Sequence, residues 1–125
     1  MLSTLKIALL AAEAADSKKS FDILVLDLRG LTSIADYFVI CSAGSTTQVG
    51  AIADSIDHAL AQEGCRLSHI EGKSLSTWVL MDYGDVVIHI FDEHTRSYFS
   101  LERLWGDAPS IPLRLTAPVL KGPKP

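Results

Sequence analysis

The sequence has few of the features that mark secreted, membrane or metal-binding proteins. Its two cysteines, Cys41 and Cys65, belong to no Cys-x-x-Cys or Cys/His pattern, so we expect reduced structural thiols. No uninterrupted apolar run approaches the roughly 18 residues that a membrane span needs. Residues 2–15 carry Lys6 and Glu13 at helical spacing rather than a signal-peptide core. We therefore expect a cytoplasmic protein that binds no membrane.

Proline is missing from most of the chain. All five prolines lie at or after Pro109, and repeated proline blocks both helices and central strands. The whole chain of 125 residues is 48% hydrophobic and 21% charged, which suits one domain with one core. We predict a folded domain over residues 1–106 and a flexible tail over residues 107–125.

Positive charge is also sparse before the tail. Residues 1–106 hold 14 acidic and 8 basic side chains, whereas the tail holds one acid against Arg114, Lys121 and Lys124. Binding to nucleic-acid phosphates needs clustered Lys and Arg, so we expect little direct nucleic-acid binding. The basic tail leaves an RNA binder open as a third class of function, but a basic protein partner fits the acidic body better.

Hydrophobic periodicity predicts the element order α-β-β-α-β-β-β-α. Apolar residues spaced three and four apart indicate helices, and short β-branched or aromatic runs indicate strands. The helices are expected over residues 2–16, 49–63 and 93–105, the last capped by Asp92, and the strands over residues 23–28, 34–42, 66–71, 77–83 and 85–91. This order predicts an α/β (α+β) sandwich, with helices packed on a mixed sheet of about five strands.

The last two strands predict a β-hairpin around Tyr83-Gly84. With those two residues as the loop, Trp78 faces His89 and Asp82 faces Asp85. One hairpin face is then purely apolar and must be core: Val79, Met81, Val86, Ile88 and Ile90. The other face is mixed: Trp78, Leu80, Val87, His89 and Phe91.

The mixed face has two interpretations. In the first, a helix covers it and His89 is merely hydrogen-bonded beneath. In the second it is a partner-binding patch, because interface hot spots favour Trp and Tyr ringed by polar groups. The acids Asp82 and Asp85 at the tip also suit a basic partner. Both interpretations stay open at this point.

A catalytic centre is not indicated. Gly72-Lys73-Ser74 resembles the end of a P-loop, but Leu67 stands where the required glycine would be. Gly44-Ser45 lies between a strand and a helix, as in nucleotidyltransferases, yet those enzymes need closely spaced metal-binding carboxylates and no Asp-x-Asp occurs. We expect no enzyme activity, cofactor or metal; a nucleotidyltransferase-like nucleotide-binding protein is the alternative.

Two long stretches together resemble the Iojap-like ribosomal silencing factors. They are Asp27-Leu28-Arg29 through Thr32-Ser33-Ile34-Ala35-Asp36-Tyr37-Phe38-Val39-Ile40-Cys41-Ser42, and Glu71-Gly72 through Trp78-Val79-Leu80-Met81-Asp82-Tyr83-Gly84-Asp85-Val86-Val87-Ile88-His89-Ile90-Phe91. The similarity continues in Arg96, Tyr98, Leu101-Glu102 and Leu104-Trp105, so it covers roughly residues 3–107.

The resemblance implies a nucleotidyltransferase-like sheet without catalytic carboxylates. It also implies binding to the large ribosomal subunit through large-subunit ribosomal protein fourteen, which blocks joining of the small subunit and represses translation under nutrient limitation. Related factors can pair as homodimers, and the sequence does not decide this. Asp36 and Tyr37 fit the family pattern, with a structural role as an equal alternative. The partner-binding residues that we predict are Trp78, Asp82, Tyr83, Asp85 and His89, with Lys73 and Arg96 at the margins.

Overall fold

The computed structural model of the chain describes residues 2–99 and 106–113. Within these residues, three helices and five strands follow one another in the predicted order. The helices are α1 (Thr4–Ser17), α2 (Thr46–Gln62) and α3 (Glu93–Phe99), and the strands are β1 (Phe21–Asp27), β2 (Tyr37–Ala43), β3 (His69–Glu71), β4 (Trp78–Asp82) and β5 (Val86–Asp92). Within the described residues, no helix is long and apolar enough to cross a membrane.

The five strands form one sheet in the order β1-β2-β5-β4-β3. The central pair, β2 and β5, is parallel, and the other three pairs are antiparallel. The predicted mixed α/β sheet is therefore confirmed. The parallel pair requires a long crossover, which α2 and the β3–β4 hairpin provide.

Helices α1 and α2 cover one face of this sheet. Each begins at a serine whose hydroxyl accepts a backbone N–H: Ser3 from Lys6 and Ser45 from Gln48, both at 3.1 Å. The buried side of α1 is almost entirely alanine, which allows the helix backbone to approach its neighbours closely. Its partners in this core include Val25, Val39, Cys41, Ile52, Ile56, Leu60, Met81, Ile88 and Ile90.

The opposite face carries a smaller, more aromatic cluster. Its buried members are Leu26, Leu28, Ala35, Phe38, Ile40, Val87 and Phe91, with Leu24, Trp78, Leu80 and Ala108 partly buried at the margin. Helix α3 starts beside the ends of β2 and β5, where Asp92 caps it by accepting the Thr95 N–H at 2.9 Å. Residues 100–105, the rest of the predicted last helix, lie outside the described residues.

The hairpin register differs from the predicted one by two residues. Trp78 pairs with Phe91, and Leu80 pairs with His89. The turn centres on Gly84-Asp85 because an Asp82 carboxylate oxygen accepts the Gly84 N–H at 2.7 Å. Gly84 has a φ of +93°, which favours glycine. Since side chains alternate with a period of two, the shift leaves every predicted side chain on its predicted face.

The start of the predicted flexible tail packs on the domain. Strand β1 is at the sheet edge, and its free backbone groups pair with residues 109–111. The Asp27 N–H donates to the Pro109 carbonyl at 2.8 Å, and the Ile111 N–H donates to the Val25 carbonyl at 2.9 Å. Proline is tolerated here because Pro109 supplies only an acceptor. The packed chain thus continues beyond the predicted boundary, and residues 114–125 lie outside the described residues.

Candidate functional site

The predicted site residues are spread along the whole β4–β5 hairpin. Trp78 begins β4, whereas Asp82 ends it and Asp85 lies in the turn. Four residue steps of about 3.4 Å separate the backbones of Trp78 and Asp82 by roughly 14 Å. The aromatic anchor and the acids therefore share a strand but occupy its opposite ends.

Trp78 is held by His89 on the aromatic side of the sheet. The indole N–H donates to His89 Nδ1 at 3.1 Å. The Trp78 ring lies 4.9 Å from Phe91, and the His89 ring lies 4.6 Å from Phe38, edge to face. Trp78 is only partly buried, whereas His89 is 4% exposed. The imidazole therefore fixes the orientation of an indole whose outer part reaches the surface.

This burial changes the predicted role of His89. Because Nδ1 accepts the hydrogen bond from the indole, the neutral ring carries its own proton on Nε2, a buried atom with no hydrogen-bond partner among the described residues. Burial also lowers the pKa of His89 to about 4, since a buried imidazolium is poorly solvated. His89 is thus not a surface contact as predicted, because the aromatic cluster encloses it. The burial of His89 agrees with the interpretation of the mixed hairpin face as covered, whereas the partial exposure of Trp78 agrees with its interpretation as a partner-binding patch.

Gly72 packs closely against the backbone of Trp78. It has a φ of +86°, and a Cβ at this position would lie 2.0 Å from the Trp78 carbonyl oxygen. Only glycine allows this close approach between the β3–β4 loop and the start of β4. Glu71-Gly72 is part of the family resemblance, but no pattern in the sequence predicts this packing role.

The hairpin turn is anchored to the start of β2. The Asp85 carbonyl oxygen accepts the Asp36 N–H at 2.7 Å and the Tyr37 N–H at 3.1 Å. The Asp85 residue is exposed, and Asp82 is partly exposed beside it. These contacts use the Asp85 backbone and leave its carboxylate at the surface, where it can meet a cationic group.

Tyr83 lies on the other side of the sheet from Trp78. Its hydroxyl donates to Asp57 of α2 at 2.9 Å, and its ring packs against the helix-covered core. Burial and the hydrogen bond to Asp57 both raise the pKa of the Tyr83 phenol. The structure therefore does not bring Tyr83 and Trp78 together on one surface.

The two marginal candidates make contacts within the chain. Lys73 pairs with Asp54 at 2.9 Å across exposed surface, an arrangement that contributes little stability. Arg96 donates from Nη1 to the Asp22 carbonyl and to Ser42 Oγ, the latter at 2.9 Å. Arg96 also lines a cleft of about 530 Å³ beside the start of β1. Arg96 therefore links β1 and β2, whereas Lys73 makes only a weak surface ion pair.

Asp36 and Tyr37 also make structural contacts. Asp36 Oδ2 accepts the Thr4 hydroxyl at 2.8 Å, which ties α1 to the start of β2. Tyr37 is 1% exposed, with the Arg29 guanidinium 5.4 Å from its ring centroid. Arg29 in turn forms two side-chain hydrogen bonds with Asp27, at 2.9 and 2.8 Å, and lowers the pKa of that carboxyl to about 2.

The Gly44-Ser45 turn resembles a phosphate-binding loop, but the backbone N–H groups of Gly44 and Gln48 donate to side chains of the same segment. The Gly44 N–H donates to Gln48 Oε1 at 2.8 Å, and the Gln48 N–H donates to Ser45. Gln48 Nε2 then donates to the carbonyls of Lys18 and Lys19, at 3.0 and 3.1 Å. Across residues 2–99 and 106–113, no group of three His, Cys, Asp or Glu side chains is placed to hold a metal. The geometry therefore gives Gly44-Ser45 the role of a turn and helix cap.

Comparison with known proteins agrees with the resemblance seen in the sequence. The family model described as "Ribosomal silencing factor during starvation" matches residues 2–124, and so extends through the proline-rich end. "Ribosomal silencing factor RsfS" of Bacillus subtilis strain 168 is 48% identical over 100 residues, covering 80% of this chain and 85% of that protein. The factor of the same name from Halalkalibacterium halodurans is 40% identical and covers 90% of this chain and 96% of its own.

The fold comparison leads to the same group. A crystal structure of a Chromobacterium violaceum protein superposes with a TM-score of 0.82 at 34% identity, covering 93% of this chain and 96% of that chain. A more distant relative is the mouse "Mitochondrial assembly of ribosomal large subunit protein 1", 34% identical over 67% of this chain and 38% of its own. The maize "Protein Iojap, chloroplastic" is 34% identical over 87% of this chain and 47% of its own. The chain therefore belongs to the ribosomal silencing factor family, together with its Iojap relatives.

Proposed function

We propose that this protein is a non-enzymatic factor that binds the large ribosomal subunit in the cytoplasm through large-subunit ribosomal protein fourteen. Bound there, it blocks association with the small subunit and represses translation when nutrients are limiting. The observation that carries the proposal is the family match over residues 2–124, whose description names ribosomal silencing during starvation. The mouse relative's name refers to the large subunit, which supports that choice of particle.

The contact surface that we propose is the hairpin surface, defined as Trp78, Leu80, Asp82 and Asp85. All four residues are partly or fully exposed. The one polar hydrogen of the Trp78 indole is already bonded to His89, so covering the ring leaves no donor unsatisfied. When a partner covers the exposed part of the indole, apolar area is buried and no polar group loses a hydrogen bond, as in aromatic hot spots.

The acids of the hairpin surface set the kind of partner. Asp82 and Asp85 meet Lys and Arg side chains of a basic ribosomal protein, which improves orientation and the rate of association. The mechanism needs surface complementarity and steric exclusion, and no reacting atom is involved. Of the other predicted site residues, His89 positions Trp78, Tyr83 and Arg96 hold neighbouring elements together, and Lys73 makes a weak surface ion pair.

Co-sedimentation with purified 50S particles tests the proposal. Trp78→Ala combined with Asp82→Lys is expected to abolish pelleting with 50S, because it removes the aromatic anchor and places a cation before a basic partner. The matched control is Leu75→Ala combined with Glu63→Lys, which likewise truncates one hydrophobic side chain and turns one acid into a lysine, at two exposed positions outside the hairpin surface. Circular dichroism should show a native spectrum for both variants. Undiminished pelleting of the first variant would refute the hairpin surface as the contact.

A further inference from the structure

Three segments that are distant in sequence meet at the turn end of the sheet. The Asp85 carbonyl in the β4–β5 turn accepts backbone N–H groups from Asp36 and Tyr37, at the end of the β1–β2 loop. The Asp36 carboxylate accepts the hydroxyl of Thr4, at the start of α1. Hydrogen bonds therefore hold the end of the β1–β2 loop, the β4–β5 turn and the start of α1 next to one another.

Exposed aliphatic side chains concentrate at this end of the sheet. Among the described residues, four large hydrophobic side chains are exposed, and three of them belong to these joined segments: Leu5 (36% exposed), Leu31 (47%) and Ile34 (66%). The fourth, Leu75, is 76% exposed in the β3–β4 loop. Single exposed aliphatics are ordinary, but three of the four falling on segments joined by hydrogen bonds make this end of the sheet a candidate interaction surface.

The β1–β2 loop is ordered by its own hydrogen bonds. The N–H groups of Leu31 and Thr32 both donate to the Leu28 carbonyl, at 2.9 and 3.1 Å. The Ile34 N–H donates to the Thr32 hydroxyl at 3.2 Å, and the Leu28 N–H donates to the Asp36 carbonyl at 2.9 Å. A loop fixed in this way presents Leu31 and Ile34 without a large ordering cost on binding.

The charges around these aliphatics favour a cationic partner. The loop and turn carry the carboxylates of Asp36 and Asp85, while the cation of Arg29 is paired with Asp27. A second copy of the chain, docked about a twofold axis that passes through these acids, would place them opposite one another, which costs free energy. Nucleic-acid phosphates would meet the same repulsion.

We propose that the loop surface, defined as Leu31, Ile34, Asp36 and Asp85, is a second contact for the basic large-subunit protein that the hairpin surface binds. The inference rests on the proposed function and extends its docking area through Asp85, which both surfaces share. Ile34 is two residues from Asp36, a span of at most about 7 Å, so one partner face can reach the aliphatic and acidic parts together. Ile34 and Leu31 supply apolar contact, and the two acids orient Lys or Arg around them.

Binding titrations with purified 50S particles test the inference. Ile34→Lys is expected to weaken binding at least tenfold, because it removes an apolar contact and adds a like charge. The matched control Leu75→Lys makes the same change at a similarly exposed aliphatic and should stay within twofold of wild type. Both substitutions are at the surface, so the melting temperature of each variant should fall by less than about 3 °C.

The outcomes separate this inference from the proposed function. Equal binding by the two lysine variants, alongside loss in the Trp78→Ala and Asp82→Lys double variant, would overturn only the loop surface. Loss in Ile34→Lys with full binding by that double variant would keep the loop surface and refute the hairpin surface. Wild-type protein that fails to bind 50S would overturn both. A changed sedimentation coefficient of free Ile34→Lys, without weaker 50S binding, would identify a self-contact and also overturn the inference.

Discussion

The two faces of the sheet differ in the chemistry of their side chains and in how fully those side chains are buried. The face under α1 and α2 is aliphatic and alanine-rich, and most of its side chains are fully buried. The opposite face gathers Phe38, Phe91, Trp78 and His89, and several of its members remain partly exposed. Each face also has buried or partly buried groups with a shifted pKa: Tyr83 and Cys41 on the helix-covered side, and His89 on the aromatic side. The first face therefore maintains the fold. On the second face, the buried His89 fixes the orientation of the partly exposed Trp78 indole.

Removing side chains from the two faces should give unequal losses of stability. Ile88→Ala, on the helix-covered face, deletes a fully buried side chain and should lower the free energy of unfolding by about 3 to 4 kcal/mol. Leu80→Ala, on the partly exposed face, should cost about 1 kcal/mol, because its site is already open to water. Urea unfolding followed by circular dichroism measures both. Similar losses would contradict the contrast between the faces.

The aromatic face should make the protein sensitive to acid. The folded-state pKa of His89 is about 4, below its unfolded value of 6.5, so between these values the unfolded chain binds the extra proton. Stability is fully present above pH 6.5 and should decline by about 3 kcal/mol as pH falls to 4. In His89→Gln, which keeps an acceptor for Trp78 but does not titrate, this decline should disappear. If the stability of His89→Gln falls by the same amount over this pH range, other titrating groups cause the decline.

The helix-covered face should make the protein sensitive to base. Burial and the hydrogen bond to Asp57 raise the pKa of Tyr83 above its usual value of 10. Above pH 10 the unfolded chain loses this proton first, so the contribution of Tyr83 to stability is complete below pH 10 and falls as pH rises further. Tyr83→Phe should flatten this alkaline decline, a smaller effect than the acid one. Parallel alkaline unfolding curves for wild type and Tyr83→Phe would rule out this phenol as the cause.

The sequence was enough to predict the element order and the two faces of the hairpin. The hairpin turn was misplaced because Tyr83-Gly84 reads as a two-residue loop, whereas the Asp82 carboxylate shifts the turn to Gly84-Asp85. The faces survived this error because a register shift of two preserves side-chain alternation. Periodicity thus predicted which side of the sheet a residue occupies more reliably than its cross-strand partner.

The candidate site was less predictable than the fold. Whether His89 is covered depends on Phe38, which is 51 positions earlier in the chain, and on strand pairing that periodicity does not give. The role of Gly72 depends on a backbone contact with Trp78 that has no local sequence signal apart from the glycine itself. Likewise, the packing of residues 109–111 on β1 depends on β1 being an edge strand, which requires the strand order.

The most direct test of the proposed function is the formation of 70S ribosomes from purified subunits, followed by light scattering. Preincubating 50S particles with the protein should reduce 70S formation in proportion to dose, and the Trp78→Ala and Asp82→Lys double variant should restore it. Unchanged 70S formation on 50S particles saturated with the protein would contradict the account.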